Sequence, residues 1–237
     1  MERFKNILVA TDTRLEQHVV VDKAAELVLQ NQAAFAIVDV VPEISWVPSK
    51  LISDLDYMRE LYAQEVADKL EALAATIRDQ AVDVSPRVLS EKTSVEVVRD
   101  VLREKHDLLM VVAKGRNSKR KGFFGYTAIH LLQACPGAVW LQADRSSTST
   151  HHVLGCVDII SDQAEASELN DRVFDLTWSI GKSCQALRSL LHAWHLIGNT
   201  AQQTLDRIEC SLLALKPYTF VSPTKLASCA QPTASRV

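Results

Sequence analysis

Apolar and polar positions alternate along the first half of the chain in blocks of two kinds. Ile7 to Ala10 is a short continuous apolar run, as a strand covered on both faces requires, and it ends on Thr11 and Asp12. Val19 to Leu29 follows with Val20, Ala24, Leu27 and Val28 on one helical stripe. Ala34 to Val41 reads as the next strand, and Pro42 and Pro48 bracket a loop. Leu55, Met58, Tyr62, Val66, Leu70, Leu73 and Ile77 then recur at spacings of three and four, which predicts a long amphipathic helix. Val82 to Leu89 is a polar-interrupted strand. Thr93-Ser94-Val95-Glu96 caps a helix whose inner face is Val97, Val98, Val101 and Leu102. Leu108 to Ala113 is the most apolar strand, Thr127 to Ala134 a short helix stopped by Pro136-Gly137, and Ala138 to Leu141 a last strand. Strand and helix in strict alternation imply a five-stranded parallel sheet with helices on both faces and right-handed crossovers. Ligands of such sheets bind beyond the carboxyl ends of the strands, where strand order reverses. Asp12, the loop after Val41 and the 114–127 segment are expected to gather there.

The second half repeats part of this pattern. His152-Val153-Leu154-Gly155-Cys156-Val157-Asp158 matches the opening strand, at an offset of 158 minus 12, 146 residues. Gly198-Asn199-Thr200-Ala201, Leu205 and Leu212-Leu213-Ala214 match Gly125-Tyr126-Thr127-Ala128, Leu132 and Val139-Trp140-Leu141, at an offset of 198 minus 125, 73 residues. The unequal offsets mean that the second copy lacks about half of the first. The expected elements are a strand at 153–159, a helix at 168–190 with Val173, Leu176, Ile180, Cys184, Leu187 and Leu191 inward, a strand at 192–197, a helix at 200–208 and a strand at 211–215. The expected organisation is a complete domain over 1–143, a polar linker over 144–151, a truncated second domain over 152–221 and a tail over 222–237.

Composition narrows the function classes. The 237 residues are 47% hydrophobic and 23% charged with a formal net charge of −3, a balance without the broad basic surface of a nucleic-acid binder. No stretch approaches the roughly 20 apolar residues of a membrane span, and the amino terminus has no signal-peptide layout. The five cysteines are scattered without a C-x-x-C pair, so reduced and mostly buried thiols in a cytoplasmic protein are expected.

Two features can carry chemistry. The segment from Lys114 to Thr127 joins a strand to a helix and contains Gly115, Gly122, Gly125 and five basic side chains. Glycines let backbone N–H groups approach an anion, and the helix start adds partial positive charge. It is not a Walker loop, and a solvated surface loop explains the charge run as well. Asp12 can accept hydrogen bonds from a base or ribose, or serve only as a turn or capping residue. His192 and His195 flank Trp194, but their odd spacing sends them to opposite faces of a strand, so no metal site is expected. No nucleophile elbow, carboxylate pair or phosphoacceptor set is present, and no enzymatic activity is expected.

These residues in this order resemble the universal stress protein (UspA) superfamily, whose fold is like that of the adenine-nucleotide alpha hydrolases. The resemblance rests on the Ile7–Asp12 strand, the long second helix, Leu108 to Gly115, Gly125 to Pro136 and Ala138 to Leu141. The second half, with Lys216-Pro217 and Phe220-Val221-Ser222-Pro223, looks like the end of a tandem, UspE-type member. Nucleotide-binding members of that superfamily carry Gly-x2-Gly-x9-Gly-Ser/Thr. Here Gly115 matches the first glycine, Ser118 stands at the second, six residues rather than nine separate it from Gly125, and Tyr126 precedes Thr127. The resemblance implies an adenine-nucleotide pocket, for ATP or a relative of it, with no metal of its own. Asp12 and Val38 would lie near base and ribose, while Gly115, Ser118, Gly125 and Thr127 approach phosphate and Lys114, Arg116 and Lys119 supply charge. It also implies a cytoplasmic stress-response protein that forms a homodimer or meets other protein partners. The alternative is a nucleotide-independent interaction module.

Overall fold

The computed structural model describes residues 4–15, 17–42, 52–91, 93–113, 124–143, 151–157, 164–192 and 211–224. The elements in chain order are β1 (Asn6–Ala10), α1 (Val19–Asn31), β2 (Ala34–Pro42), α2 (Ile52–Arg78), β3 (Ser85–Glu91), α3 (Thr93–Glu104), β4 (Leu108–Ala113), α4 (Phe124–Ala134) and β5 (Ala138–Ala143), then β6 (His152–Val157), α5 (Ala164–Ser183), β7 (Leu187–His192) and β8 (Leu212–Ala214).

The main sheet has six strands in the order β3-β2-β1-β4-β5-β8, one more than the pattern predicts. The first five run parallel, and β8 adds antiparallel to β5. Two cores cover its faces. Ile7, Val9 and Met110 point to the α1 and α2 side with Val20, Ala24, Leu70 and Ile77. Leu8, Leu109 and Val111 point to the α3 and α4 side with Val97, Val101, Leu131 and Leu132. Adjacent residues of β1 are therefore buried on opposite faces, which is why that strand reads as an unbroken apolar run. Asp107 ties the strand starts together by accepting the N–H of Lys5 at 2.6 Å and of Asn6 at 3.1 Å.

Some expected boundaries move. β3 begins at Ser85, after the buried Val82 and Val84, and its Pro86 is tolerated because β3 is an edge strand. Met58, assigned to the inner stripe of α2, is exposed together with Tyr57 and Leu61. The helix expected at 168–190 ends at Ser183, and Gln185 turns the chain with a left-handed φ of 54°. Leu187 and Leu191 belong to β7, which lies at 187–192 instead of 192–197. A spacing of four satisfies a helical stripe and one face of a strand equally, so the leucines alone do not separate the two. The helix expected at 200–208 lies outside the described residues.

β6 and β7 form a separate two-stranded parallel sheet joined by α5. Helix α5 packs closely over Gly155, where an added Cβ would meet Thr177 Oγ1 at 2.3 Å and Leu190 Cδ2 at 2.9 Å. It also reaches the main body. Leu176 joins the α1–α2 core, with Ile180, Leu213 and Leu215 packed against that core. Arg172 Nη1 donates to the Lys216 carbonyl at 2.7 Å, and its guanidinium stacks over the Tyr218 ring at 4.3 Å.

A charged cluster joins β3 to α3. Arg87 Nη2 donates to Asp100 Oδ2 at 2.8 Å and stands 3.1 Å from His106 Nε2. Arginine cannot accept, so in this contact the guanidinium is the donor. Of the cysteines, Cys135 is buried, and burial pushes its thiol up to about 11. Cys156 is exposed, contrary to the expectation of mostly buried thiols, because it lies on the side of β6 away from α5.

Candidate functional site at the end of β1

Strand order reverses at β1. The chain winds outward from it to β2 and β3, then returns to β4 and β5 on its other side. The edge of the sheet beyond β1 and β4 is therefore the topological switch point, where sheets of this kind place their ligands. Ala10 is level with Val111 and with Val38, so Thr11 and Asp12 emerge beside the end of β4 at Ala113. The Thr11 N–H donates to the Val38 carbonyl at 2.8 Å, extending the β1–β2 ladder by one step and holding Asp12 at the edge. The Val38 side chain itself is fully buried in the α3–α4 core.

Asp12 is 4% exposed and carries an arginine on its carboxylate. Arg14 Nε donates to Oδ1 at 2.7 Å and Nη2 to Oδ2 at 2.8 Å, while the Arg14 backbone N–H reaches Oδ1 at 3.1 Å. The last of these is an Asx turn, so Asp12 is both a turn residue and a strand-end carboxylate. The turn closes when the Leu15 N–H donates to the Asp12 carbonyl at 3.0 Å. Asp39, the one acidic residue inside β2, anchors the other side by accepting the N–H of Thr13 at 2.8 Å and of Val40 at 2.7 Å. The hydrogen bond to Asp12 raises the Arg14 guanidinium above its ordinary value against partial burial, with Tyr62 of α2 and Asp39 adding to the pull. The buried Thr13 Oγ1 has no partner among the described residues.

His18 stands just before α1, with Nδ1 3.1 Å from Thr11 Oγ1. Burial pushes its imidazole below the ordinary value of 6.5, against the pull of Asp22, Asp12 and Asp39. The folded state therefore prefers neutral His18. Its contribution to stability is complete above about pH 6.5 and is lost as pH falls from there through the lower folded value. Replacing His18 with Gln removes this term. In urea unfolding, the wild type should lose more stability than the variant between about pH 7.5 and pH 5.5. Parallel losses would contradict the buried, neutral imidazole.

The remaining sequence candidates divide in two. Thr127 is half-buried in the first turn of α4, and Gly125 is that helix's second residue. Lys114, Gly115, Arg116, Ser118 and Lys119 lie outside the described residues, which resume at Phe124. Among the described residues no cluster of histidine, cysteine and carboxylate side chains could hold a metal ion. No helix among them is long and apolar enough to cross a membrane. Arg14, Thr13, His18, Asp39 and Tyr62 were not selected from the sequence. The available signals were an arginine two residues after the strand-end aspartate and an acidic residue inside an otherwise apolar strand.

Comparison with known proteins gives the fold a family. A functionally unknown protein from Pseudomonas aeruginosa PAO1 superimposes with a TM-score of 0.63 at 16% identity, over 92% of this chain and 94% of that one. Universal stress protein UspA from Lactobacillus plantarum does so with a TM-score of 0.51 at 18% identity, over 60% of this chain and 99% of that one. A universal stress protein from Archaeoglobus fulgidus DSM 4304 gives 0.50 at 14% identity, over 83% of this chain and 68% of that one. No curated protein matches the sequence. At these identities the likeness is one of fold. The family model of the universal stress proteins matches residues 3–141, from just before β1 into β5, and the chain belongs to that family.

Proposed function

We propose that this chain is a non-enzymatic, cytoplasmic stress-response protein that binds an adenine nucleotide at the ends of β1 and β4. The observation that carries the reading is Asp12, a nearly buried carboxylate at the switch point, level with the strand that leads into the glycine-containing basic segment. In this reading base and ribose lie near Asp12 and the backbone of Val38. The phosphates lie toward Gly115, Ser118, Gly125 and Thr127, with Lys114, Arg116 and Lys119 as counter-charges. Titration calorimetry of the full chain with ATP, AMP and cyclic AMP tests it. Binding with a dissociation constant below about 1 mM is the expected result for at least one of them. No heat above dilution at several millimolar would contradict it.

The same proposal includes a tandem origin, with a complete domain over 1–143, a linker over 144–151, a truncated second domain over 152–221 and a tail beyond. The β5–β8 register supports it. Trp140 pairs with Leu213, while Val139 and Leu141 pair with Ala214 and Leu212. Trp140 and Leu213 are equivalent under the 73-residue offset (213 minus 140), so the ladder is self-complementary about that pair, as a two-fold contact between copies of one strand must be.

One observation favours the second reading, a homodimer that acts through its surface. Leu154, Leu187 and Leu191 are 52%, 74% and 46% exposed, and the register places all three on the side of β6–β7 away from α5. Parallel strands are ordinarily covered on both faces. The expected occupant is a second copy of this chain. Light scattering that shows a dimer in the wild type and a monomer in Leu187→Lys would support it, and a concentration-independent wild-type monomer would exclude it.

A further inference from the structure

The carboxylate that the nucleotide reading needs is already occupied by the chain itself. Arg14 forks both oxygens of Asp12 with two charge-assisted bonds, the geometry in which arginine and carboxylate pair most strongly. The arrangement is set by the backbone. The turn from Asp12 to Leu15 is closed by its own hydrogen bond, and Thr13 is tied to Asp39, so the base of the Arg14 side chain is fixed over Asp12. The two partners differ sharply in exposure: the Arg14 side chain is 47% exposed and that of Asp12 5%. The arginine can therefore swing into water without moving the backbone, while the carboxylate cannot leave.

A ligand that addresses Asp12 through a pair of hydrogen-bond donors, such as the two hydroxyls of a ribose, competes for the edge that the guanidinium covers. Resting on the nucleotide reading above, we infer that Arg14 is an intramolecular competitor that holds the Asp12 carboxylate and has to be displaced before a nucleoside sugar can bind. The contact is autoinhibitory. It masks the carboxylate and lowers affinity by the cost of breaking the fork. It also leaves Asp39 to give the surrounding turn a net negative charge, which disfavours phosphate close to Asp12 and directs the sugar end of a ligand there.

Adenosine is the appropriate probe, because without phosphates it does not report any attraction of the freed arginine for anions. In full-length protein, Arg14→Ala should bind adenosine at least about tenfold more tightly than the wild type, equivalent to about 1.4 kcal/mol. Arg14→Lys keeps the charge but loses the planar fork and should fall between the two. It also serves as the readout if the alanine variant folds poorly by circular dichroism. In Asp12→Asn the gain on adding Arg14→Ala should shrink towards zero, since the masked charge is gone. Equal or weaker adenosine binding by both Arg14 variants would overturn the inference. If the wild type still bound ATP in that case, the nucleotide reading would stand without the masking. Failure of every variant and of the wild type to bind any adenine compound would remove both.

Discussion

Replacing Trp140 with Ala should destabilise the protein by about 3–5 kcal/mol and lower its melting temperature by roughly 10 °C. Trp140 is 7% exposed and pairs with Leu213 at the centre of the β5–β8 seam. It belongs to the same continuous core as Ile7, Met110 and Leu176, against which Leu213 and Ile180 pack. A cavity at this point removes apolar contact from both halves of the chain. The expected signature is therefore not only lower stability but loss of hydrogen-exchange protection in α5, which lies beyond the family-matched residues. A melting temperature lowered by less than about 2 °C, with α5 protection intact, would show that the carboxyl-terminal segment does not depend on this seam.

Asp100→Ala should cost about 3 kcal/mol. The Asp100 side chain is 1% exposed and serves Arg87 from β3 while lying 3.7 Å from His106 Nε2. Removing it leaves the partly buried guanidinium with only the longer Glu104 contact, 3.5 Å from Nη1, and the penalty is mainly that of a poorly compensated charge. Asp100→Asn keeps the shape and one acceptor and should cost less. A change within about 0.5 kcal/mol for the alanine variant, by urea unfolding, would mean that water replaces the carboxylate without loss.

The parts of the fold that were legible in the sequence are those where one periodicity dominates. The buried runs of β1 and β4 and the valine face of α3 can each be satisfied in only one way. The Leu187–Leu191 pair satisfies two periods at once, and the helix end at Gln185 depends on a left-handed backbone that a glutamine does not advertise. The place of the sixth strand was unreadable for a different reason. Leu212 to Ala214 is recognisable as a strand, but its choice of β5 over β6 and β7 is a long-range packing decision.

The candidate site divides in the same way. Asp12 is visible because it ends an apolar strand at the edge of the sheet, where a turn role and a ligand-facing role are both open to it. Its occupancy by Arg14 is not visible, since a turn that aims a side chain back by two residues depends on Asp39 from another strand. At the end of β1 the structure thus shows a pre-formed charge pair where the sequence shows only a carboxylate.

The most direct test of the nucleotide reading is a TROSY titration of the isotope-labelled full chain with ATP. The expected result is saturable shifts at the amides of Thr11 to Leu15, of the Lys114 to Lys119 segment and of the first turn of α4 around Thr127, together with movement of the Arg14 Nε–H resonance as it leaves Asp12. Unchanged resonances at all of these positions at several millimolar ATP, or saturable shifts only outside them, would contradict it.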